Sequence, residues 1–156
     1  MFNAVLNYLF PDDTIDLDKI DKEMHTIYTE AKTRFEHLQN LIKEINKPVD
    51  IFIKTPVEDK IYSQDEKSIL LSMFEIVCEL ETLPLKYICK VTDYSTQIKS
   101  PISLSKRYEY LALMRQYAQE EAIKIETRIK EEDKKFKSLL ENANRTKNWL
   151  KSNTET

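Results

Sequence analysis

Residues 104–150, LSKRYEYLALMRQYAQEEAIKIETRIKEEDKKFKSLLENANRTKNWL, decide the fold of this 156-residue chain. Apolar side chains recur here at alternating spacings of four and three residues, interrupted only at Arg115, Glu132 and Thr146. A 3.5-residue repeat sustained over more than six heptads keeps one face of a helix against its neighbours in a supercoiled bundle. No glycine or proline interrupts the stretch, so we expect one long C-terminal helix over 102–151. The positions of this seam are Leu104, Tyr108, Leu111, Ala118, Ala122, Ile125, Ile129, Phe136, Leu139, Ala143 and Leu150.

Two further stretches carry the same spacing and predict two more long helices. The first covers 12–46, with Arg34 at one core position. The second begins at a capping box, in which Ser63 and Glu66 each accept a backbone N–H from the other residue. Pro84 lies inside this second pattern, which continues in phase, so we expect a kinked but continuous helix. The predicted inward positions are Leu17, Ile20, Met24, Ile27, Ala31, Leu38, Leu41 and Ile45 in the first helix, and Ile69, Met73, Ile76, Leu80, Leu83, Tyr87, Val91, Tyr94 and Ile98 in the second.

The three patterns together predict an all-α fold in a single domain, residues 1–156. Its architecture would be an elongated three-helix bundle with up-down-up topology and coiled-coil-like packing. Residues 1–11 add a short amphipathic helix, which we interpret as a lid over one end of the bundle. Weak membrane contact or anchoring to a partner by residues 2–10 is the alternative. Two prolines bracket a β-branched run, so residues 47–62 are predicted to form an extended connector, with one short strand as the alternative.

The composition excludes several classes of enzyme. The chain contains no glycine, although an average composition would give about eleven. Glycine supplies the positive-φ positions of tight hairpins, phosphate-binding loops and nucleophile elbows. Its absence therefore argues against β-rich folds, dinucleotide-binding and P-loop motifs, and the Gly-x-Ser-x-Gly elbow.

The cysteines and the hydropathy pattern bear on the compartment. Cys78 and Cys89 are the only cysteines, which predicts small buried thiols in a reducing environment rather than a disulfide framework. No stretch approaches the ~18 apolar residues of a membrane span, and the N-terminal residues do not resemble a signal peptide. We therefore expect a cytoplasmic protein without a transmembrane segment.

Charge is unevenly distributed along the chain. The net charge of −3 provides no global attraction for nucleic acid or anionic membrane. Residues 1–46 carry nine acidic and five basic side chains, whereas residues 100–156 carry twelve basic and nine acidic ones. We interpret this asymmetry as attraction between the first and last helices. The last helix has a basic face, interpreted as solvated, with a phosphate-contacting strip as the alternative; it comprises Lys134, Lys135, Lys137, Arg145, Lys147 and Lys151.

Residue types that catalyse reactions or bind metals do not cluster in the sequence. His25 and His37 are twelve residues apart on one helix, and neither follows a glutamate by three residues, as di-iron bundles require. Cys78 and Cys89 are roughly 16 Å apart along a continuous helix, too far to share a zinc ion. The apolar surroundings of Cys78 predict a buried, inert thiol. We therefore expect no catalytic, cofactor-binding or metal-binding residues, and no cofactor.

Two arginines interrupt the apolar seams and call for acidic partners. A buried guanidinium without a partner would be costly, so each arginine is expected to pair at a seam edge. Alignment of the helix ends predicts that Arg34 lies near Glu75 or Glu79, and that Arg115 lies near Glu30. Such pairs would set the register of the helices more than their stability.

Unequal helix lengths lead to the main functional prediction. The last helix is longer than the other two, so its final ~20 residues would project beyond the bundle. A bare apolar stripe on such a projection marks an interaction surface, either for another protein or for a second copy of the chain. Its predicted partner-binding residues are Phe136, Leu139, Leu140, Ala143, Trp149 and Leu150. As the alternative, the 47–62 connector folds back and covers the stripe with Val49, Ile51, Ile53, Val57 and Ile61.

The function predicted from the sequence is a non-catalytic protein–protein interaction module that serves as an adaptor, accessory subunit or scaffold. Two other functions stay open. One is a stoichiometric inhibitor or effector-type regulator of an enzyme. The other is a nucleic-acid accessory protein that uses the basic face, which the acidic net charge disfavours.

Overall fold

Three helices account for nearly all of the described residues. A computed structural model of the chain describes residues 11–56 and 62–154, and 94% of these residues are helical. The helices are α1, Pro11–Lys54; α2, Gln64–Lys99; and α3, Leu104–Thr154. They pack against one another, and no strand occurs in the two described ranges, so the predicted all-α three-helix bundle is confirmed. The amphipathic helix predicted for residues 2–10 lies outside the described part of the chain.

The helices contribute to two compact units. Among the described residues, the first unit comprises 11–37 and 85–124, and the second comprises 38–56, 62–84 and 125–154. Within each unit, buried apolar side chains come from all three helices, mostly three or four residues apart. The core of the first unit contains Ile20, Met24, Ile27, Ala31, Tyr87, Val91, Ile98, Leu111, Met114, Ala118 and Ala122; that of the second contains Leu38, Ile42, Ile45, Val49, Leu70, Met73, Val77, Leu80, Ile125, Ile129, Phe136 and Ala143.

Some buried positions differ by one residue from the predicted seams. In α1, Ile42 is buried and the predicted Leu41 is half-buried. In α3, the fully buried Met114 takes the core position next to Arg115, which is exposed. The same shift places Leu70 and Val77 in the core of the second unit where the seam predicts Ile69 and Ile76. In α2 the buried positions keep a strict alternation of three and four residues from Leu70 to Val91, so the predicted repeat is correct there and its phase is one residue off.

The first helix continues through Pro48 to Lys54, so the extended connector predicted from residue 47 is wrong over 47–54. Proline lacks the N–H of the helical hydrogen bond and costs about 3 kcal/mol in a helix interior. The extension buries Val49, which is 1% exposed, and full burial of such a side chain stabilises by about 1.5–3 kcal/mol. The roughly two additional turns of helix also add backbone hydrogen bonds, and these bonds together with the burial of Val49 offset the cost of proline.

Side chains close the C-terminal end of α1. The backbone N–H and the hydroxyl of Thr55 both donate to the carbonyl of Ile51, at 2.9 and 2.6 Å. The ring of Phe52 then packs edge-on against Tyr62, with centroids 5.1 Å apart. This contact holds the end of α1 against the residues that precede α2.

The predicted capping box of α2 and the continuity of this helix through Pro84 are confirmed. The Ser63 backbone N–H donates to Glu66 Oε1, and the Glu66 backbone N–H donates to Ser63 Oγ, each at 3.1 Å. These two bonds form the predicted capping box. The helix is continuous through Pro84, whose side chain is fully buried.

The seam arginines find partners, although not the predicted ones. Arg115 Nη2 lies 3.0 Å from Glu23 Oε2 in the first unit, so an acidic partner is confirmed while its identity as Glu30 is wrong. In the second unit, Glu79 Oε1 lies 2.9 Å from Arg128 Nη2 instead of near Arg34. Both ion pairs are largely exposed, so each contributes at most about 1 kcal/mol to the free energy of unfolding.

Tyr87 joins the three helices of the first unit. Its fully buried ring belongs to α2, and its hydroxyl donates to the α3 carbonyl of Ala118 at 2.6 Å. Burial raises the pKa of this hydroxyl, while the nearby α1 guanidinium of Arg34 lowers it. The partner of Arg34 is therefore this phenol rather than the predicted Glu75 or Glu79.

Arg107 holds the turn between α2 and α3. Its guanidinium folds back and donates to the carbonyls of Ile98, Ser100 and Ile102, at 2.8, 3.1 and 3.3 Å. These carbonyls lie at and beyond the C-terminal end of α2, where helical acceptors lack intrahelical donors. A cation at this end also interacts favourably with the helix dipole.

We expect Arg107→Met to lower the free energy of unfolding by about 2–3 kcal/mol, because it removes three partly buried bonds from a charged donor. Chemical denaturation followed by circular dichroism measures the change. The control is Lys106→Met at the preceding residue, whose ammonium makes an exposed pair with Glu109 at 3.3 Å and should contribute under ~1 kcal/mol. Equal losses for both variants would show that the turn does not depend on the guanidinium.

Candidate protein-interaction surfaces

The predicted partner-binding stripe of α3 is divided between core and surface. Phe136 and Ala143 are only 3% and 7% exposed and belong to the core of the second unit. The prediction that these two residues form part of a bare stripe is therefore wrong. Leu140 is half-buried. The error follows from the connector prediction, because α1 is longer than its sequence pattern indicates.

The end of α1 covers part of the predicted α3 stripe. This agrees in part with the alternative prediction that residues 47–62 cover it. Val49 is buried, and Ile51 lines a groove of about 470 Å³ together with Leu140. Ile51 and Ile53 nevertheless stay 60% and 56% exposed. The remaining two residues of that alternative, Val57 and Ile61, lie outside the described part of the chain.

Three residues of the predicted stripe remain exposed. Leu139, Trp149 and Leu150 are 38%, 63% and 52% exposed. At roughly 100° per residue, these side chains, together with Lys135 and Arg145, fall within about 140° of the circumference of α3. We call these five residues the α3 surface. It combines the chain's only tryptophan with two cations on one helix face.

The basic face of α3 is partly neutralised by carboxylates of the same unit. Its ion pairs are Lys137–Asp133 at 2.9 Å, Arg145–Glu141 at 2.6 Å and Lys147–Glu66 at 3.3 Å. Lys135 lies over the ring of Phe136, 5.5 Å from its centroid. The hydrogen bond and the charge of Asp133 raise the pKa of Lys137 above its ordinary value. These contacts favour the solvated interpretation of the face over a strip dedicated to phosphates.

The outer side of α2 carries an apolar stripe that the sequence analysis missed. Leu71 and Phe74 are 59% and 45% exposed, and Cys78 is exposed beside them. At roughly 100° per residue, the three side chains lie within about 60° of one another, with Glu75 and Glu81 on either side. We call Leu71, Phe74 and Cys78 the α2 stripe. A second set of apolar residues at spacings of three and four was the signal for it.

Both cysteines are free and exposed, so the prediction of buried thiols is wrong. Five of the seven residues from 74 to 80 are apolar, which suggests that Cys78 is buried among them. The helix instead directs Val77 and Leu80 into the core and leaves Cys78 on the opposite side. Cys89 occupies the corresponding outer position in the first unit, about three turns further along α2.

A groove of about 620 Å³ in the first unit brings Asp21, His25 and Ser95 together. These are residue types of a nucleophilic triad, so their bonding matters. The Ser95 hydroxyl donates to the sulfur of Met24, 3.3 Å away, and is thus directed at a thioether rather than a base. Across residues 11–56 and 62–154, no group of three or more His, Cys, Asp or Glu side chains is arranged to hold a metal ion.

Comparisons with known proteins give no relative from which the role of these surfaces could be inferred. No protein-family model matches the chain, and neither the curated proteins nor the solved structures give a significant match. Among the described residues, no helix has both the length and the apolar character needed to cross a lipid bilayer.

Glu66 connects the cap of α2 to Lys147 on α3, which predicts a pH dependence. Burial raises the pKa of this carboxyl, but hydrogen bonds from Ser63 and Lys147 and the charge of Lys147 outweigh burial and lower the pKa below its ordinary value. A carboxylate with a lower pKa in the folded chain stabilises the fold above the unfolded value, and this contribution is lost as the pH falls through the folded value. Glu66→Gln should therefore be less stable than the wild type at pH 7, and the gap should shrink below about pH 4.5.

Urea unfolding between pH 7 and pH 3 measures this gap. Lys147→Gln serves as the matched variant, because it removes the ammonium but leaves the capping box intact, and it should reproduce part of the pH dependence. A gap that stays constant over the whole range would contradict the role given to the Glu66 charge.

Because Trp149 is the only tryptophan, its fluorescence reports on the α3 surface alone. With 63% of its area exposed, we expect red-shifted emission and efficient quenching by acrylamide in dilute solution. Leu139→Asp, on the same surface, should change neither property. Blue-shifted emission resistant to acrylamide in dilute protein would mean that Trp149 is covered within a single chain.

Proposed function

We propose that this chain is a non-catalytic protein-interaction module, an adaptor, accessory subunit or scaffold, that binds its partner through the α3 surface. The observation that carries the proposal is the exposure of Trp149, 63%, next to Leu139 and Leu150 on one helix. Tryptophan is enriched at the centres of protein interfaces, where its large ring fills a pocket and its N–H finds an acceptor. Exposed apolar side chains on a helix also suit a partner groove.

The charges of the α3 surface support selective binding. Arg145 lies one turn before Trp149 and about 40° from it on the helix circumference, whereas Lys135 lies on the same face about 21 Å away along the axis, one turn before Leu139. Cations beside an apolar anchor favour a partner with acidic residues at the rim of its binding groove. Arg145 is held by Glu141 in an exposed pair four residues apart on the same helix, a weak interaction that a partner's carboxylate can replace.

The bonding of Ser95 in the first-unit groove is not that of a catalytic serine. A serine acts as a nucleophile when an adjacent base accepts its proton. The Ser95 hydroxyl is instead engaged with Met24. Because the Ser95 hydroxyl is bonded to a thioether, we assign no catalytic role to the groove around His25.

We also propose that the chain works in the cytoplasm. Cys78 and Cys89 are exposed and unbridged, and exposed thiols persist where the environment is reducing. If the partner proves to be an enzyme that the chain inhibits stoichiometrically, the module is a regulator of that enzyme.

Site-specific photocrosslinking tests the proposal. A photoreactive phenylalanine analogue replaces Trp149, and the matched control places it at Ile123, which is equally exposed at 63% but lies in the first unit. In extracts of the source cells, position 149 should give a discrete adduct that position 123 does not. The protein in the adduct is then identified by mass spectrometry and purified for binding measurements.

Leu139→Asp with Trp149→Ala should weaken binding of that purified partner at least about tenfold, since Trp anchors commonly contribute 2 kcal/mol or more. The far-ultraviolet circular dichroism should remain that of the wild type, because both side chains are exposed. Phe136 is left unchanged, since it belongs to the core. Indistinguishable adducts from positions 149 and 123 would remove the α3 surface as a binding site.

A further inference from the structure

The α2 stripe and the α3 surface are complementary in charge as well as apolar character, and both lie in the second unit. We propose that the α3 surface of one copy of this chain binds the α2 stripe of a second copy. The proposal rests on the function proposed above and names the partner of the same surface. In this pairing, a second copy of the chain covers both exposed faces.

The α2 stripe is an apolar strip with acidic borders. Leu71 and Phe74 are 59% and 45% exposed, and Cys78 lies between them on the helix circumference. Glu75 borders the strip on the side of Leu71, and Glu81 borders it on the side of Phe74, at roughly 40° and 20°. No ion pair within residues 11–56 and 62–154 engages either glutamate. The face therefore combines exposed apolar area with carboxylates available to an incoming cation.

The α3 surface presents the reverse arrangement. Its apolar members, Leu139, Trp149 and Leu150, are accompanied by Lys135 and Arg145, of which Arg145 is paired with Glu141 of the same helix in an exposed ion pair. Apolar strips whose borders have opposite charge select each other and disfavour pairing with themselves. Two α2 stripes facing each other would bring their glutamates together, and two α3 surfaces would bring their cations together. Charge thus favours the pairing of unlike faces over either self-pairing.

Because each copy carries both faces, the pairing can be reciprocal. The α3 surface of copy one binds the α2 stripe of copy two, while the α3 surface of copy two binds the α2 stripe of copy one. Such an arrangement closes with two-fold symmetry and makes every contact twice. Doubling the contact matters, because specific interfaces usually bury about 1,200–2,000 Å² in total.

Analytical ultracentrifugation of the full chain over a range of concentrations tests the pairing. The wild type should show a reversible monomer–dimer equilibrium. Glu75→Lys with Glu81→Lys makes both faces basic, and Lys135→Glu with Arg145→Glu makes both faces acidic, so each variant alone should be monomeric. An equimolar mixture of the two variants should restore the dimer, since both reciprocal contacts are again complementary. The control, Glu30→Lys with Glu36→Lys, makes the same change in net charge as Glu75→Lys with Glu81→Lys, but at exposed positions of the first unit, and should still dimerise.

The two thiols give an independent readout on the wild-type protein. Cys78 lies in the α2 stripe, whereas Cys89 is exposed in the first unit. Alkylation by N-ethylmaleimide, followed by mass spectrometry, should become at least tenfold slower at Cys78 as the dimer forms, with little change at Cys89. Equal protection of both thiols would indicate that α2 pairs with α2 and would overturn the proposed pairing.

A wild-type chain that stays monomeric at all accessible concentrations would also overturn it, as would open-ended filaments in place of a closed dimer. Failure of the two charge-swapped variants to associate with each other while the wild type dimerises would place the interface elsewhere. None of these results touches the function proposed above, which fails only when position 149 gives no specific adduct. A monomeric chain with a specific adduct at position 149 would retain the α3 surface as a site for a different protein.

Discussion

The helices of this chain must end without glycine, and the rest of the structure depends on how this is achieved. C-terminal caps very commonly use a residue with positive φ, a conformation that glycine adopts at no steric cost. None of the described residues has a positive φ. Side chains close the helices instead: Thr55 at the end of α1, Ser63 with Glu66 at the start of α2, and Arg107 at its end. Ser103 caps α3 by accepting the Lys106 backbone N–H at 3.2 Å.

Two of these caps are also contacts between helices. Arg107 belongs to α3 yet satisfies carbonyls at the end of α2, and Glu66 at the start of α2 also binds Lys147 of α3. A glycine cap would be local, whereas the Arg107 cap forms only when α3 lies against the end of α2, and the capping box of Ser63 and Glu66 gains a further contact from Lys147 of α3. Helix termination and helix packing are therefore coupled in this chain, and substitution of one cap residue weakens both.

The sequence predicted correctly those features that depend on residues close together along the chain. The helical class, the Ser63–Glu66 capping box and the continuity of α2 through Pro84 all depend on spacing and on bonds within one turn. Pro48 shows where prediction from nearby residues fails, because the burial of Val49 by other segments decides whether the helix continues. Packing between helices also explains why the predicted partner of Arg34 was wrong. Its partner is the buried phenol of Tyr87, on another helix, rather than an acid.

The candidate surfaces were only partly predictable, since exposure is a property of three helices rather than one. Trp149, Leu139 and Leu150 were identified from an apolar pattern, but the same pattern included Phe136, which the core takes up. The α2 stripe was present in the sequence as a second apolar periodicity, hidden by the stronger one that faces inward. Cys78 was misplaced for this reason, because an apolar neighbourhood in sequence lies on two opposite faces of a helix.

The order of segments along the chain has a consequence for biosynthesis. Each unit joins a pair of helical segments that are neighbours in sequence, 85–124 or 38–84, with a third segment from a distant part of the chain. Since α3 supplies Met114 to one core and Phe136 to the other, neither core is complete while the ribosome is still translating the first hundred residues. Nascent or prematurely terminated chains would display bare apolar seams, which chaperones and proteases recognise. Only nearly full-length chains can hide both seams, so this topology lets the cell's quality control distinguish finished molecules from unfinished ones.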